Sequence, residues 1–193
     1  MAHVVGGRSG WLRTKLEPSG IEVSLPEYLK IDITESKDGR EYFTILEGVH
    51  KGKKASVKLS ADGSSNLGTM AMYRGAAKLV FNIAKGEVTY GGGVAKAITY
   101  PAKPIAKGIH NIQLPDFPHR IGSSYLGKTP YALNWFFLGN GNAVEGTNDR
   151  YLHTGERSAG CVTVNPTDWD KLYRYLILSR QGDNTNVGII KVT

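Results

Sequence analysis

Residues 153–177 read HTGERSAGCVTVNPTDWDKLYRYLI, and this run decides how the rest of the chain is read. Its second half predicts a helix. Asn165 is a good N-cap, Pro166 fits the first helical position, and Trp169, Leu172, Tyr173, Leu176 and Ile177 recur at helical spacing. One face of that helix therefore packs on a sheet, and Gln181-Gly182 ends it. The first half holds Cys161, the single cysteine among 193 residues, with Gly160 before it, Ser158 three residues before it and His153 eight before it.

Outward from this run, strand signals dominate. Residues 21–25, 29–34, 42–46 and 55–59 alternate apolar with polar side chains, separated by turns at Asp38-Gly39 and Gly48 to Gly52. They predict a compact β unit over residues 1–65, with the polar run 62–66 as a joint. Beyond it, residues 70–74, 78–84 and 88–90 predict further strands, the last two joined through Lys85-Gly86. Residues 131–138 form the most apolar strand candidate, and residues 187–192 return as a last strand. The fold class is mainly β with one helix in the C-terminal region.

The chain carries 24 Lys and Arg against 17 Asp and Glu, a net charge of +7. Such an excess favours encounter with polyanions. The charge is dispersed, however, and its densest cluster, His50 to Lys54, reads as a solvated turn with no nucleic-acid motif beside it. No stretch approaches the roughly 18 apolar residues that span a bilayer, so no membrane span is expected. The first ten residues lack the basic-then-apolar layout of a secretory signal. The five histidines are scattered, and Asp116 with His119 is too little for a metal site, so neither metal nor cofactor is expected.

A lone thiol is most often buried and inert. The surroundings of Cys161 argue for a nucleophile instead. An ordinary thiol is mostly protonated at neutral pH, and a nearby imidazole activates it and then protonates an amine leaving group. His153 is the candidate for that role. Gly160 gives the backbone freedom to aim the Cys161 N–H, with its own, at a developing oxyanion. The Ser158 hydroxyl positions the loop or the imidazole. Upstream, His119 and Arg120 follow Pro118 in a stiff loop suited to gripping a substrate carboxylate, and Tyr125 is placed in the same cleft. His110 reads as a structural strand residue.

At Ser158-Ala159-Gly160-Cys161-Val162 the chain resembles the Ser-x-Gly-Cys-aliphatic signature of the L,D-transpeptidase catalytic domain. Residues 144–149, VEGTND, are similar to that family's Ile-His-Gly-Thr-Asn-Asp segment, and residues 103–110 to its Pro-x-x-x-Gly-x-Tyr turn. The resemblance covers about residues 70–193 and implies an L,D-transpeptidase-like β-sandwich or open barrel over 66–193, after the small β unit. One departure stands out: Glu145 occupies the place of the family's catalytic histidine. A carboxylate there raises a thiol pKa rather than lowering it. His153 is the replacement, in a His-x-Gly-x-x-Ser-x-Gly-Cys arrangement that resembles a divergent branch. Glu145 then orients an imidazole, binds substrate, or is a solvated loop carboxylate.

The resemblance implies acyl transfer on peptidoglycan stem peptides through a thioester on Cys161, either as transpeptidase or as L,D-carboxypeptidase. It places the activity at the cell wall, in the periplasm or outside the cell. Without a visible leader, delivery into a rival's periplasm fits, with an immunity protein as partner. The alternative is an inactive wall-binding or interaction protein on the same fold.

Overall fold

The computed structural model describes residues 1–139 and 150–193. The chain is mainly β: a small β unit comes first, and one helix lies in the C-terminal region. Strands β1 (Ala2–Val4), β2 (Trp11–Glu17), β3 (Glu22–Pro26), β4 (Lys30–Lys37), β5 (Arg40–Ile45), β6 (Lys54–Lys58) and β7 (Leu67–Gly68) form one 7-stranded sheet in the order β3-β2-β6-β5-β4-β1-β7. The hairpin between β4 and β5 turns at Asp38 and Gly39, both at positive φ, the geometry a two-residue connection between twisted strands requires. Alternation sends Phe43 and Ile45 of β5 into the core, while Arg40, Tyr42 and Thr44 lie on the other face.

The remaining strands are β8 (Ala77–Asn82), β9 (Glu87–Tyr90), β10 (Gly93–Ile98), β11 (Gly108–Gln113), β12 (Phe136–Gly139), β13 (Tyr151–Thr154), β14 (Val162–Val164) and β15 (Asn186–Val192). They close into a barrel in the order β10-β14-β13-β12-β11-β15-β8-β9, and the β9–β10 hairpin seals the ring. Closure leaves no sheet edge to pair with another chain. Two neighbours run parallel, β13 with β14 and β15 with β8. Strands β13 and β14 span only 4 and 3 residues, so the loop 155–161 suffices to carry the chain back alongside itself.

Helix α1 (Pro166–Ile177) starts as the sequence reads: the Thr167 N–H donates to Asn165 Oδ1 at 3.0 Å, with Pro166 in the first turn. Its apolar face, Trp169, Leu172, Tyr173, Leu176 and Ile177, is fully buried. Just beyond it, Arg180 ties the two sheets together. Its guanidinium pairs with the Glu47 carboxylate, both nearly solvent-free, and donates to the carbonyls of Ile177 (2.7 Å) and Tyr28 (2.8 Å).

Local readings differ in three places. The apolar run 131–138 is a strand only from Phe136 onward. Before that the backbone turns, because the Tyr131 carbonyl accepts from Trp169 Nε1 and Asn134 N–H, each at 3.0 Å, and the Ala132 carbonyl from Trp135 Nε1 at 3.1 Å. Residues 70–74 form no strand; Arg74 makes an isolated bridge to Ser179. Strands β1, β2 and β10 lie where the sequence reading marked none.

Candidate active site

The parallel pair β13–β14 builds the site. Its register sets Leu152 beside Val162, His153 beside Thr163 and Thr154 beside Val164. Leu152, Val162 and Val164 point into the barrel core. With a side-chain period of two, His153 and Thr163 take the opposite face, and extending the register one step puts Tyr151 beside Cys161 on that face too. The Tyr151 N–H points at Cys161 Sγ at 3.4 Å. The sequence-predicted nucleophile and imidazole therefore share one face, two residues apart in register on adjacent strands.

The loop before Cys161 is held from within. Ser158 Oγ donates to the Cys161 carbonyl at 2.9 Å and accepts from the Gly160 N–H at 3.2 Å. This fixes the Cys161 backbone. It also engages the Gly160 N–H inside the loop, so Gly160 is not offered as an oxyanion donor. Its contribution is conformational: φ is +113°, and a Cβ there would come within 2.8 Å of the Lys103 carbonyl oxygen and 3.0 Å of Arg150 Cζ. Lys103 opens the 103–110 segment, so the fold brings that segment against the cysteine loop.

His153 is buried and orders its own tautomer. Nδ1 lies 2.8 Å from the Thr154 carbonyl oxygen, which accepts only from N–H, so the proton sits on Nδ1 and Nε2 carries the lone pair. The Thr163 hydroxyl holds that lone pair at 3.2 Å. The His153 pKa is lowered to about 4, by burial first and by nearby His119, against the opposing pull of the Thr154 carbonyl. The ring is neutral throughout the physiological range.

Trp135 lies between two imidazoles. Its indole stacks on His153 with centroids 4.0 Å apart and on His119 at 4.6 Å. Phe117 stacks on His119 at 4.3 Å, and Tyr151 meets His119 edge-on at 4.7 Å. His119 Nε2 bonds Asp116 Oδ1 at 2.9 Å, and its backbone N–H donates to Leu133 O at 3.0 Å, which fastens the Pro-rich loop over the 131–135 turn. His119 thus belongs to the site, as an oriented member of an aromatic stack that ends on His153. The sequence reading did not find Trp135, Tyr151 or Thr163, and weighed Asp116 only as a metal ligand beside His119. Only the Asp116–His119 spacing was a local signal; the other contacts join residues far apart in sequence.

The remaining expected residues separate. Tyr125 supports the site from below the loop: its hydroxyl accepts from the Glu156 N–H at 3.1 Å and its ring lies against Gly155. Arg120 is exposed, and its guanidinium makes no hydrogen bond or ion pair among the described residues. His110 sits in β11 and bonds the Ala106 carbonyl at 2.8 Å. Glu145, with the whole 144–149 segment, lies outside the described residues. A groove of about 310 Å³ runs beside Thr163, between Lys96, Ile98 and Glu156.

Among the described residues no three His, Cys, Asp or Glu side chains converge as metal ligands would, and no helix is long and apolar enough to cross a membrane. No family model, no curated protein and no solved structure matches this chain.

Proposed function

We propose that the chain is a cysteine acyltransferase acting on peptidoglycan stem peptides, similar to the L,D-transpeptidases, through a thioester on Cys161. One observation carries this reading: a neutral imidazole of fixed tautomer and the lone thiol share one face of a parallel strand pair, behind a loop that Ser158 pins and Gly160 makes possible. In this mechanism the Cys161 proton passes to His153 Nε2 as Sγ bonds to the stem-peptide carbonyl carbon. The carbon–nitrogen bond to the terminal D-amino acid then breaks, and its amine leaves with the proton from the imidazolium. An amine or water next attacks the thioester, gives its proton to His153, and the thiolate departs and is reprotonated. An amine acceptor makes a cross-link or exchange product; water makes the protein an L,D-carboxypeptidase.

The burial of His153 suits a general base better than a standing thiolate–imidazolium pair, because the charged ring is disfavoured until the reaction demands it. The Thr163 hydroxyl, which holds Nε2 in the resting protein, yields the lone pair to the incoming proton. His119, Trp135 and Asp116 keep the imidazole plane fixed and water away from it.

One arrangement favours the second reading, an inactive wall-binding protein. Both nitrogens of His153 are bonded to Thr154 and Thr163 rather than to the thiol. Incubation with purified muropeptides separates the two, wild type beside Cys161→Ala, read by mass spectrometry. Loss of one terminal D-amino acid, or exchange and dimer products, absent in the variant, is the expected result. Unchanged muropeptides of every stem length favour the binding protein. On the acyltransferase reading the protein works in the periplasm or outside the cell. Delivered into a rival's periplasm it acts as a toxin, and its producer carries an immunity protein. Forced periplasmic expression then harms the host, and harmless expression removes that version.

A further inference from the structure

The N-terminal sheet contains a seam that its own hydrogen bonding does not close. Strands β2 and β6 pair at Lys15–Ser56, Leu16–Ala55 and Glu17–Lys54 and then part. Beyond that point β2 continues with β3 alone, from Thr14 to Trp11, and β6 with β5 alone, through Val57 and Lys58. Continued pairing would set Thr14 beside Val57 and Arg13 beside Lys58. Instead a cavity of about 480 Å³ lies between them, within the size range of small-ligand sites.

The chemistry of this cavity is one-sided. Arg13, Lys15, Arg40 and Lys58 line it against a single carboxylate, Glu22, which pairs with Arg13. Arg40 is held in place: Nε donates to Ser56 Oγ at 3.1 Å and Nη2 to the Ser56 carbonyl at 3.2 Å. Ser56 Oγ in turn donates to Glu17 Oε1 at 2.6 Å, which keeps that carboxylate engaged. Lys15 and Lys58 are exposed and make no ion pair among the described residues. Thr14, 3 % exposed, lies on the core-facing side of β2, opposite Arg13 and Lys15, so its hydroxyl is not part of this cationic face. Cations that outnumber their carboxylates repel one another. That repulsion is relieved when an acceptor-rich anion enters.

We propose that this seam is a binding site for a ligand carrying two or more negative oxyanion groups, carboxylate or phosphate. Arg40 supplies the oriented donors, and Lys15 and Lys58 the mobile charge. The site stands apart from Cys161 and does not depend on the acyltransferase reading.

Calorimetric titration of the full chain at low salt tests it, with citrate and pyrophosphate as the two probes. The proposal expects at least one to bind, with Lys15→Gln/Lys58→Gln weakening affinity about tenfold or more, the scale of losing charge-assisted contacts. Cys161→Ala leaves it unchanged. Lys78→Gln/Lys191→Gln, the same charge change on exposed barrel positions, also leaves it unchanged. Citrate alone binding assigns a carboxylate ligand, and pyrophosphate alone a phosphate ligand. No binding of either at millimolar concentration, or equal weakening by the two lysine pairs, overturns the proposal.

Discussion

The face of β13–β14 and the seam of β2–β6 treat their polar groups in opposite ways. Beside Cys161, Ser158, the Gly160 N–H, both nitrogens of His153 and the Thr163 hydroxyl all have partners before any ligand arrives. In the seam, four cations meet one carboxylate. The first arrangement is complete and rigid, which suits chemistry on one bond, where misplacement is expensive. The second is incomplete and charged, which suits recognition. Barrel closure permits the first, because every strand has neighbours on both sides; an open sheet permits the second, because its strands are free to part.

The comparison depends on the two sheets forming one body, and that is its most exposed point. The Glu47–Arg180 pair joins them where solvent does not reach. Lys30 approaches the same carboxylate at 3.6 Å. Glu47→Ala leaves a buried guanidinium uncompensated and is expected to cost about 3–5 kcal/mol. Chemical denaturation gives that figure; a loss below about 1 kcal/mol, the worth of an exposed pair, removes this joint from the account.

A second prediction sharpens the claim that the β13–β14 face is dry and settled. His153 titrates near 4 in the folded chain and near its ordinary 6.5 when unfolded, so between these values the unfolded chain binds the extra proton. Stability contributed by the neutral ring is complete above about pH 6.5 and is lost as pH falls toward 4, by on the order of 3 kcal/mol. Denaturation midpoints across that window measure it, and His153→Gln flattens the slope. If catalysis uses His153 as base, the acid limb of kcat/KM also falls near pH 4 rather than 6.5.

The third and smallest effect concerns backbone geometry. Gly160→Ala forces a Cβ toward the Lys103 carbonyl at a φ that side chains avoid, at a cost of about 1–3 kcal/mol. Because Cys161 follows directly, activity should fall by far more than that loss of stability explains. Stability and turnover measured on the same preparation separate the two, and a parallel small decline in both denies Gly160 a role in aiming the thiol.

Much of the architecture was legible because it rests on local chemistry. The Asn165-Pro166 start of α1 and the Asp38-Gly39 hairpin are decided by residues within one turn of each other. The run 131–138 misleads because burial, not pairing, makes it apolar: the indole nitrogens of Trp135 and Trp169 take its carbonyls. At the site, Ser158, Gly160, Cys161 and His153 could be named from spacing alone. The stack of His119, Trp135 and His153 could not, since closing the barrel brings together segments that share no periodicity. Nor does the order of residues show that the Ser158 hydroxyl turns back onto the Gly160 N–H.

The central claim is a thioester on Cys161, and the mass of the intact protein tests it most directly. Rapid mixing with a muropeptide whose stem is cleaved should give an adduct equal to the substrate less its terminal D-amino acid. Peptide mapping should place that adduct on Cys161. Turnover without any adduct, or an adduct that persists in Cys161→Ala, would contradict the account.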